Sequence, residues 1–327
     1  KIGEPVYKVT KLKIIYFGSP YYSVSLLKKI ISLGHQVPLV VSQGSEKTRR
    51  GKMVHTSIYE FCEKNKLRCI TPDQFSNPVV DDISSIKADL GIVYAYGKII
   101  PQSIIDTAEF GIMNLHCSLL PAYRGAAPIQ HALINNETTT GVTYFEINQK
   151  LDEGKMILNR AYTIKESDNC TTVQDNLTDM AVECCSEAIG KMCAKEYIQS
   201  TFIKKPTYAK KILKEDAFLN WDMNARLMFN MIRALHLWPV ARINLFGDNI
   251  KILDANCIEK KHEHPAGTVV SFNKNELVIA AKEGFLSILK LQLEGKKTIT
   301  NRDLYNSNHS IKETLINNCA NISYKSL

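Results

Sequence analysis

From Asn114 to Pro128 the chain reads Asn-Leu-His-Cys-Ser-Leu-Leu-Pro-Ala-Tyr-Arg-Gly-Ala-Ala-Pro. An amide, Asn114, and an imidazole, His116, stand two residues apart, directly after the apolar run Phe110–Met113. Such a run reads as the end of a buried strand, and period-2 geometry sets both side chains on one face. An amide donates a hydrogen bond at every pH and so suits a developing oxyanion. An imidazole donates as well, or carries a proton near neutral pH. Asn-x-His alone is more often the polar end of a strand making turn hydrogen bonds, so the context decides.

Strand ends of open α/β sheets are where ligands bind. Leu12–Phe17 is an apolar run closed by Gly18-Ser-Pro20, then Val24, Leu27, Ile30 and Ile31 recur at helical spacing up to Gly34. Val37, Val40 and Val41 return to a β-branched strand, and this β-α-β start predicts a parallel sheet. No Gly-x-Gly-x-x-Gly accompanies it, so it is not a dinucleotide fingerprint. Further strands are expected over 88–94, 111–115, 141–147 and 156–164, with helices at 79–86 and 129–135. The long apolar period over 172–194 predicts a helix covering one sheet face. Residues 199–207 read as a linker. A helix over 225–235 follows, then short strands at 241–245, 250–253, 268–272, 277–280 and 286–292, a spacing that favours a small β-barrel. The expected organisation is an extension, 1–11, without assigned function; an α/β domain, 12–198; and a barrel domain, 208–327. The α/β domain is expected to hold a Rossmann-like, mostly parallel sheet with helices on both faces.

The nine cysteines are an odd number without a Cys-x-x-Cys pair, which fits a reducing cytoplasm. No apolar run reaches the roughly 18 residues of a membrane span, and Lys1–Lys11 lacks the apolar core of a secretory signal. His262 and His264 have no partners at ligand spacing, so no metal is expected. The formal charge of +8 is uneven: residues 204–327 carry 19 basic against 12 acidic residues, residues 1–203 carry 22 against 21. Such asymmetry points to a polyanion partner for the C-terminal part. Residues 43–55 break the helix and strand pattern with two glycines and the cations Lys47, Arg49, Arg50 and Lys52. They read as a solvated loop suited to phosphate contacts.

The segment from Asn114 resembles the signature of the folate-dependent formyltransferases, Asn-x-His-x-Ser-Leu-Leu-Pro-x-x-[Arg/Lys]-Gly, and Leu151–Gly154 resembles that family's Leu-Asp-x-Gly. Tyr94-Ala-Tyr-Gly-Lys-Ile-Ile-Pro101, Gly141-Val-Thr143, Trp238-Pro239, Pro265-Ala-Gly-Thr268 and Glu294-Gly-Lys-Lys297 extend the resemblance over about 12–311. It is closest to the branch that formylates an aminoacyl-tRNA. The resemblance brings in Asp152 of Leu151–Gly154, which, if the fold sets its loop beside the strand end, would orient His116 or position a proton-relaying water, and implies direct transfer without a Ser or Cys nucleophile. It implies that 10-formyltetrahydrofolate is the formyl donor. Its pterin would lie against Tyr96, Gly97 and Ile100 and against Ile147, largely through backbone groups, with Ser118, Leu119, Leu120 and Pro121 on the folate side. It implies methionyl-initiator tRNA as acceptor, met by Lys47, Arg49, Arg50 and Lys52 and by a C-terminal barrel of the oligonucleotide-binding type. A monomer, with neither metal nor nicotinamide, is implied too. The basic loop departs from the family pattern: Glu46 stands near the position of an Arg, and His55-Thr56-Ser57 replaces Pro-Ser-Pro. Two alternatives keep the fold: an acceptor amine on a sugar nucleotide or ribonucleotide, or hydrolysis of the formyl folate.

Overall fold

β1 (Lys13–Gly18) is buried along all but its first residue, as a strand flanked on both faces must be. The computed structural model, which describes residues 11–47, 53–199 and 205–319, divides into two units, each taken by itself. In the first, β1 is joined by β2 (Gln36–Val41), β3 (Cys69–Ile70), β4 (Leu90–Tyr94), β5 (Ile112–His116), β6 (Thr139–Glu146) and β7 (Lys155–Thr163). The sheet order is β7-β6-β5-β4-β1-β2-β3. The pairings from β3 through β5 are parallel; β6 pairs antiparallel with both β5 and β7. The chain moves outward from β1 to β2 and β3, then crosses to the other side of β1 with β4. The order therefore reverses between β1 and β4, and the carboxyl ends of those strands flank a crevice.

Helices α1 (Tyr21–Ser32), α2 (Ser57–Asn65), α3 (Asn77–Ser85), α4 (Gln102–Ile105) and, beyond Val173, α6 (Cys170–Cys193) connect or cover these strands, while α5 (Pro128–Ile134) groups from Ile129 onward with the second unit. On one face Tyr16, Tyr94 and Tyr144 form a fully buried row across β1, β4 and β6. Each hydroxyl meets a covering helix: Tyr16 donates to Ser23 O of α1 at 2.7 Å and Tyr144 to Ala181 O of α6 at 2.9 Å, while Tyr94 shares a 2.8 Å hydrogen bond with Thr178 of α6. Burial pushes all three phenols up, so they remain neutral. On the other face Ile15, Phe17, Val93 and Ile112 pack with Ile83 of α3 and Ile104 and Ile105 of α4. Helices on both faces are thus present, as expected. Element ends in this unit shift by one or two residues. α3 starts at Asn77 because Pro78 suits a first helical turn, and β4 starts at Leu90 because Lys87 turns with φ 51°.

Residues 43–55 are not wholly loop: Glu46–Lys47 pairs antiparallel with Met53–Val54 in a short hairpin. Arg49, Arg50 and Lys52 lie outside the described residues, and Lys47 is placed by its backbone. Tyr208–Ala209, just past the expected linker, pairs in parallel with Arg124–Gly125 and belongs to the first unit.

The second unit holds α7 (Ala225–Ala234) and six antiparallel strands: β8 (Arg242–Leu245), β9 (Asp248–Ile258), β10 (Val269–Phe272), β11 (Leu277–Ala280), β12 (Phe285–Gln292) and β13 (Thr298–Thr300). They run β8-β9-β12-β11-β10, with β13 on β12. The end strands β8 and β10 do not pair among the described residues, so the expected barrel is an open half-barrel. Met228, Phe229 and Ile232 of α7 pack into its core with Ile252, Ile279 and Ile288. β13 and two closing helices, α8 (Asn301–Asn306) and α9 (Ser310–Asn317), complete the unit.

Candidate active site

β5 ends in mid-sheet between β4 and β6, so its last residues are flanked on both sides. Asn114 is paired in register with Val93 and with Phe145, and its carboxamide has no hydrogen-bond partner among the described residues. His116 is buried and pairs with Thr143. Its Nε2 lies 2.8 Å from the Tyr123 carbonyl oxygen. A carbonyl only accepts, so a ring proton sits on Nε2 and the other nitrogen is left for chemistry. That nitrogen, Nδ1, is 3.8 Å from Asp152 Oδ2. The gap is too long for a hydrogen bond. It leaves room for a proton to pass by way of a water or a substrate amine. The same Asp152 oxygen accepts the Gly125 N–H at 2.8 Å, and Arg124 pairs with Glu153. The two motifs, 27 residues apart at that hydrogen bond, therefore clasp each other directly.

Local backbone chemistry explains the letters of both motifs. Asp152 sits at φ 49°, a left-handed conformation that Asp tolerates better than most residues. A Cβ on Gly154 would fall 1.6 Å from Glu146 O, so only glycine lets this loop close onto β6. Gly125 has φ 115°, and a Cβ there would lie 2.7 Å from Ala209 O. The Ser-Leu-Leu-Pro turn is pinned from β6: Thr143 Oγ1 donates to Ser118 O at 2.7 Å and accepts the Leu120 N–H at 3.2 Å. Ser118 is fully buried, donating to Ala122 O, and Leu119 and Leu120 are buried while Pro121 is partly so. Cys117 is buried beside Tyr94, and burial pushes its thiol up, toward the neutral form.

On the expected donor side, Tyr96 is buried against Phe17 and Phe75, its hydroxyl without a partner among the described residues and pushed up to about 12 by burial. What it offers to the loop is its carbonyl, which accepts from Gln43 Nε2 at 2.6 Å. Gly97, at φ 80°, leaves space that a Cβ would take from Gln43. Ile100 and Ile147 join one apolar cluster with Ile104, Ile105 and Ile112, so the loops after β4 and β6 meet on one face. A depression of about 480 Å³ next to Ile147 opens toward Gly111 and Glu146, at the start of β5 and away from His116. Of the functional groups, sequence reading missed Thr143, the Tyr123 carbonyl and the Gly125 N–H. Only Thr143, a polar residue amid buried β6 neighbours, carried a signal. In the second unit, His262 Nε2 donates to the Gly284 carbonyl at 2.9 Å and the ring packs on Phe285.

Residues 11–189 match the family described as formyl transferase, and residues 211–309 match the formyl transferase C-terminal domain. The chain belongs to the formyl transferase family. A methionyl-tRNA formyltransferase of Thermodesulfovibrio yellowstonii is 37% identical over 295 residues, covering 89% of this chain and 94% of the relative. One of Fusobacterium nucleatum is 35% identical over 300 residues, covering 90% and 96%. In fold, the chain is similar to an N-formyltransferase from Helicobacter canadensis solved with folinic acid and dTDP-3-aminofucose. The TM-score is 0.65 at 18% identity, covering 85% of this chain and 98% of that one. This formyl transferase therefore carries Asn114, His116 and Asp152 where β5 and the loop after β6 converge.

Proposed function

We propose that the chain transfers the formyl group of 10-formyltetrahydrofolate to the free α-amino group of methionyl-initiator tRNA. The observation that carries the reading is the unengaged Asn114 carboxamide beside the His116–Asp152 pair, in a chain that parallels methionyl-tRNA formyltransferases along nearly their whole length. The neutral amine attacks the formyl carbon, whose oxygen becomes an oxyanion. Asn114, partly buried, donates to that oxygen as a donor preorganised by the strand. As the new C–N bond forms, His116 Nδ1 and Asp152, facing each other, take the amine's proton. Breaking the bond to N10 of the folate returns one proton to that nitrogen, so no net proton is lost. The carbonyl of Tyr123 holds the imidazole still throughout.

The pterin lies against the loop after β4 (Tyr96, Gly97, Ile100) and Ile147, with the turn Ser118–Pro121 behind the transferring group. Lys47, Arg49, Arg50 and Lys52 meet the acceptor phosphates. The chain acts as a monomer in the cytoplasm; no described helix is long and apolar enough to cross a membrane. The test is an acceptor panel with 10-formyltetrahydrofolate: methionyl-tRNA, uncharged tRNA and a dTDP-amino sugar. Formylation confined to methionyl-tRNA is the expected result. Formylation of the amino sugar, or folate deformylation without an acceptor, would replace the reading with one of its alternatives.

A further inference from the structure

Where the strand order reverses between β1 and β4, a second depression of about 440 Å³ opens, apart from the catalytic trio. It is lined by Ser19 and Tyr21 after β1, Gln43 after β2, His55 and Ser57 at the entry to α2, and Ala95 after β4. Gly18, Tyr94 and Leu115 are register partners across β1, β4 and β5. The pocket thus lies about two strand spacings, roughly 10 Å, from His116. That is a gap the ribose and aminoacyl ester of a nucleoside can bridge.

Its lining is built for a planar polar guest. The His55 ring stacks on Tyr59, centroids 4.6 Å apart at 15°, and the stack is held in place by Ser45 Oγ at His55 Nδ1. His55 is exposed on its other side. Three groups have no partner among the described residues: His55 Nε2, the Ser57 hydroxyl and Gln43 Oε1, the last fixed because Gln43 Nε2 donates to the Tyr96 carbonyl. An apolar amino-acid side chain would leave these groups unpaired, whereas ribose hydroxyls and a base edge would satisfy them.

Resting on the acceptor reading above, we propose that this pocket receives the 3′-terminal adenosine of the tRNA, its base stacked on the open face of His55 and its ribose against Gln43 and Ser57. His55 is then a specificity-determining residue of this chain, at a place where the family pattern has Pro-Ser-Pro.

Steady-state transfer by the full chain tests this with His55→Ala and His55→Phe. The KM for methionyl-tRNA should rise roughly tenfold in His55→Ala, the scale of one lost base–aromatic stack, and return toward the native value in His55→Phe. The KM for the formyl donor should hold in both, which also shows that they fold. AMP should compete with methionyl-tRNA on the native protein and lose that competition in His55→Ala. An unchanged methionyl-tRNA KM in His55→Ala overturns the proposal, as does dTDP competing better than AMP, which would assign the pocket to a free nucleotide. If the native protein formylates no methionyl-tRNA, the acceptor reading fails. Calorimetric AMP binding still decides the pocket: loss in His55→Ala supports it, and equal binding overturns it.

Discussion

Asn114, His116 and Asp152 divide three tasks, and replacing each removes a different one. Asn114→Ala leaves the oxyanion without its donor and should lower kcat roughly 10²–10³-fold, the usual loss for one such donor. Asp152→Asn and His116→Ala, which break the proton path, should each cost roughly 10²–10⁴-fold; circular dichroism and donor binding should show all three folded. A normal rate in folded Asp152→Asn would remove the carboxylate from the chemistry. Gly125→Ala should mimic Asp152→Asn, because its Cβ meets Ala209 O and tilts away the N–H that Asp152 accepts. Gly247→Ala, also at positive φ but with nothing within 4 Å, is the control and should leave turnover intact. The placement of Asn114 and His116 at a strand end was legible from the apolar run before them and their spacing, whereas Asp152 was tied to them only by the second motif at Leu151–Gly154. The Tyr123 carbonyl and the Gly125 N–H were not legible, since every residue owns those groups and only the fold selects which ones point inward.

At the level of elements, the parallel strands were readable from unbroken apolar runs, as sheets covered on both faces require. The hairpin at 46–54, β13, α8 and α9 were not: they are short and largely polar, with no period long enough to register. His35, in the turn between α1 and β2, ties two elements together by accepting the Leu12 N–H at Nδ1, 3.3 Å away. Burial holds this imidazole below its ordinary value of 6.5. A base whose folded-state pKa is depressed contributes stability that is present above the unfolded-state value and lost as pH falls through and below it. Thermal melts should therefore show the midpoint dropping as pH is lowered from about 7.5 to about 5. The drop should shrink in His35→Gln, which keeps an acceptor that does not titrate. An identical pH profile for both proteins would exclude His35 as a source of acid sensitivity.

For the molecule as a whole, the excess of positive charge beyond residue 203 predicts that affinity for tRNA falls steeply with salt, because each neutralised phosphate releases counterions. Neutralising Arg49 and Arg50 together should flatten that slope and weaken transfer to methionyl-tRNA while donor binding stays unchanged. A salt slope that does not respond would place the phosphate contacts elsewhere. The two-unit organisation was legible from the change from long βα units to short strands; the half-barrel was not, because closure depends on which end strands meet rather than on how many there are. The claim on which the rest depends is that one active site moves a formyl group from folate to methionyl-tRNA. Its most direct test is the product balance of a single incubation of the native protein with 10-formyltetrahydrofolate and methionyl-initiator tRNA. The predicted result is one tetrahydrofolate released for each formyl-methionyl-tRNA formed, both abolished by Asn114→Ala. Tetrahydrofolate released without formylated tRNA would contradict it.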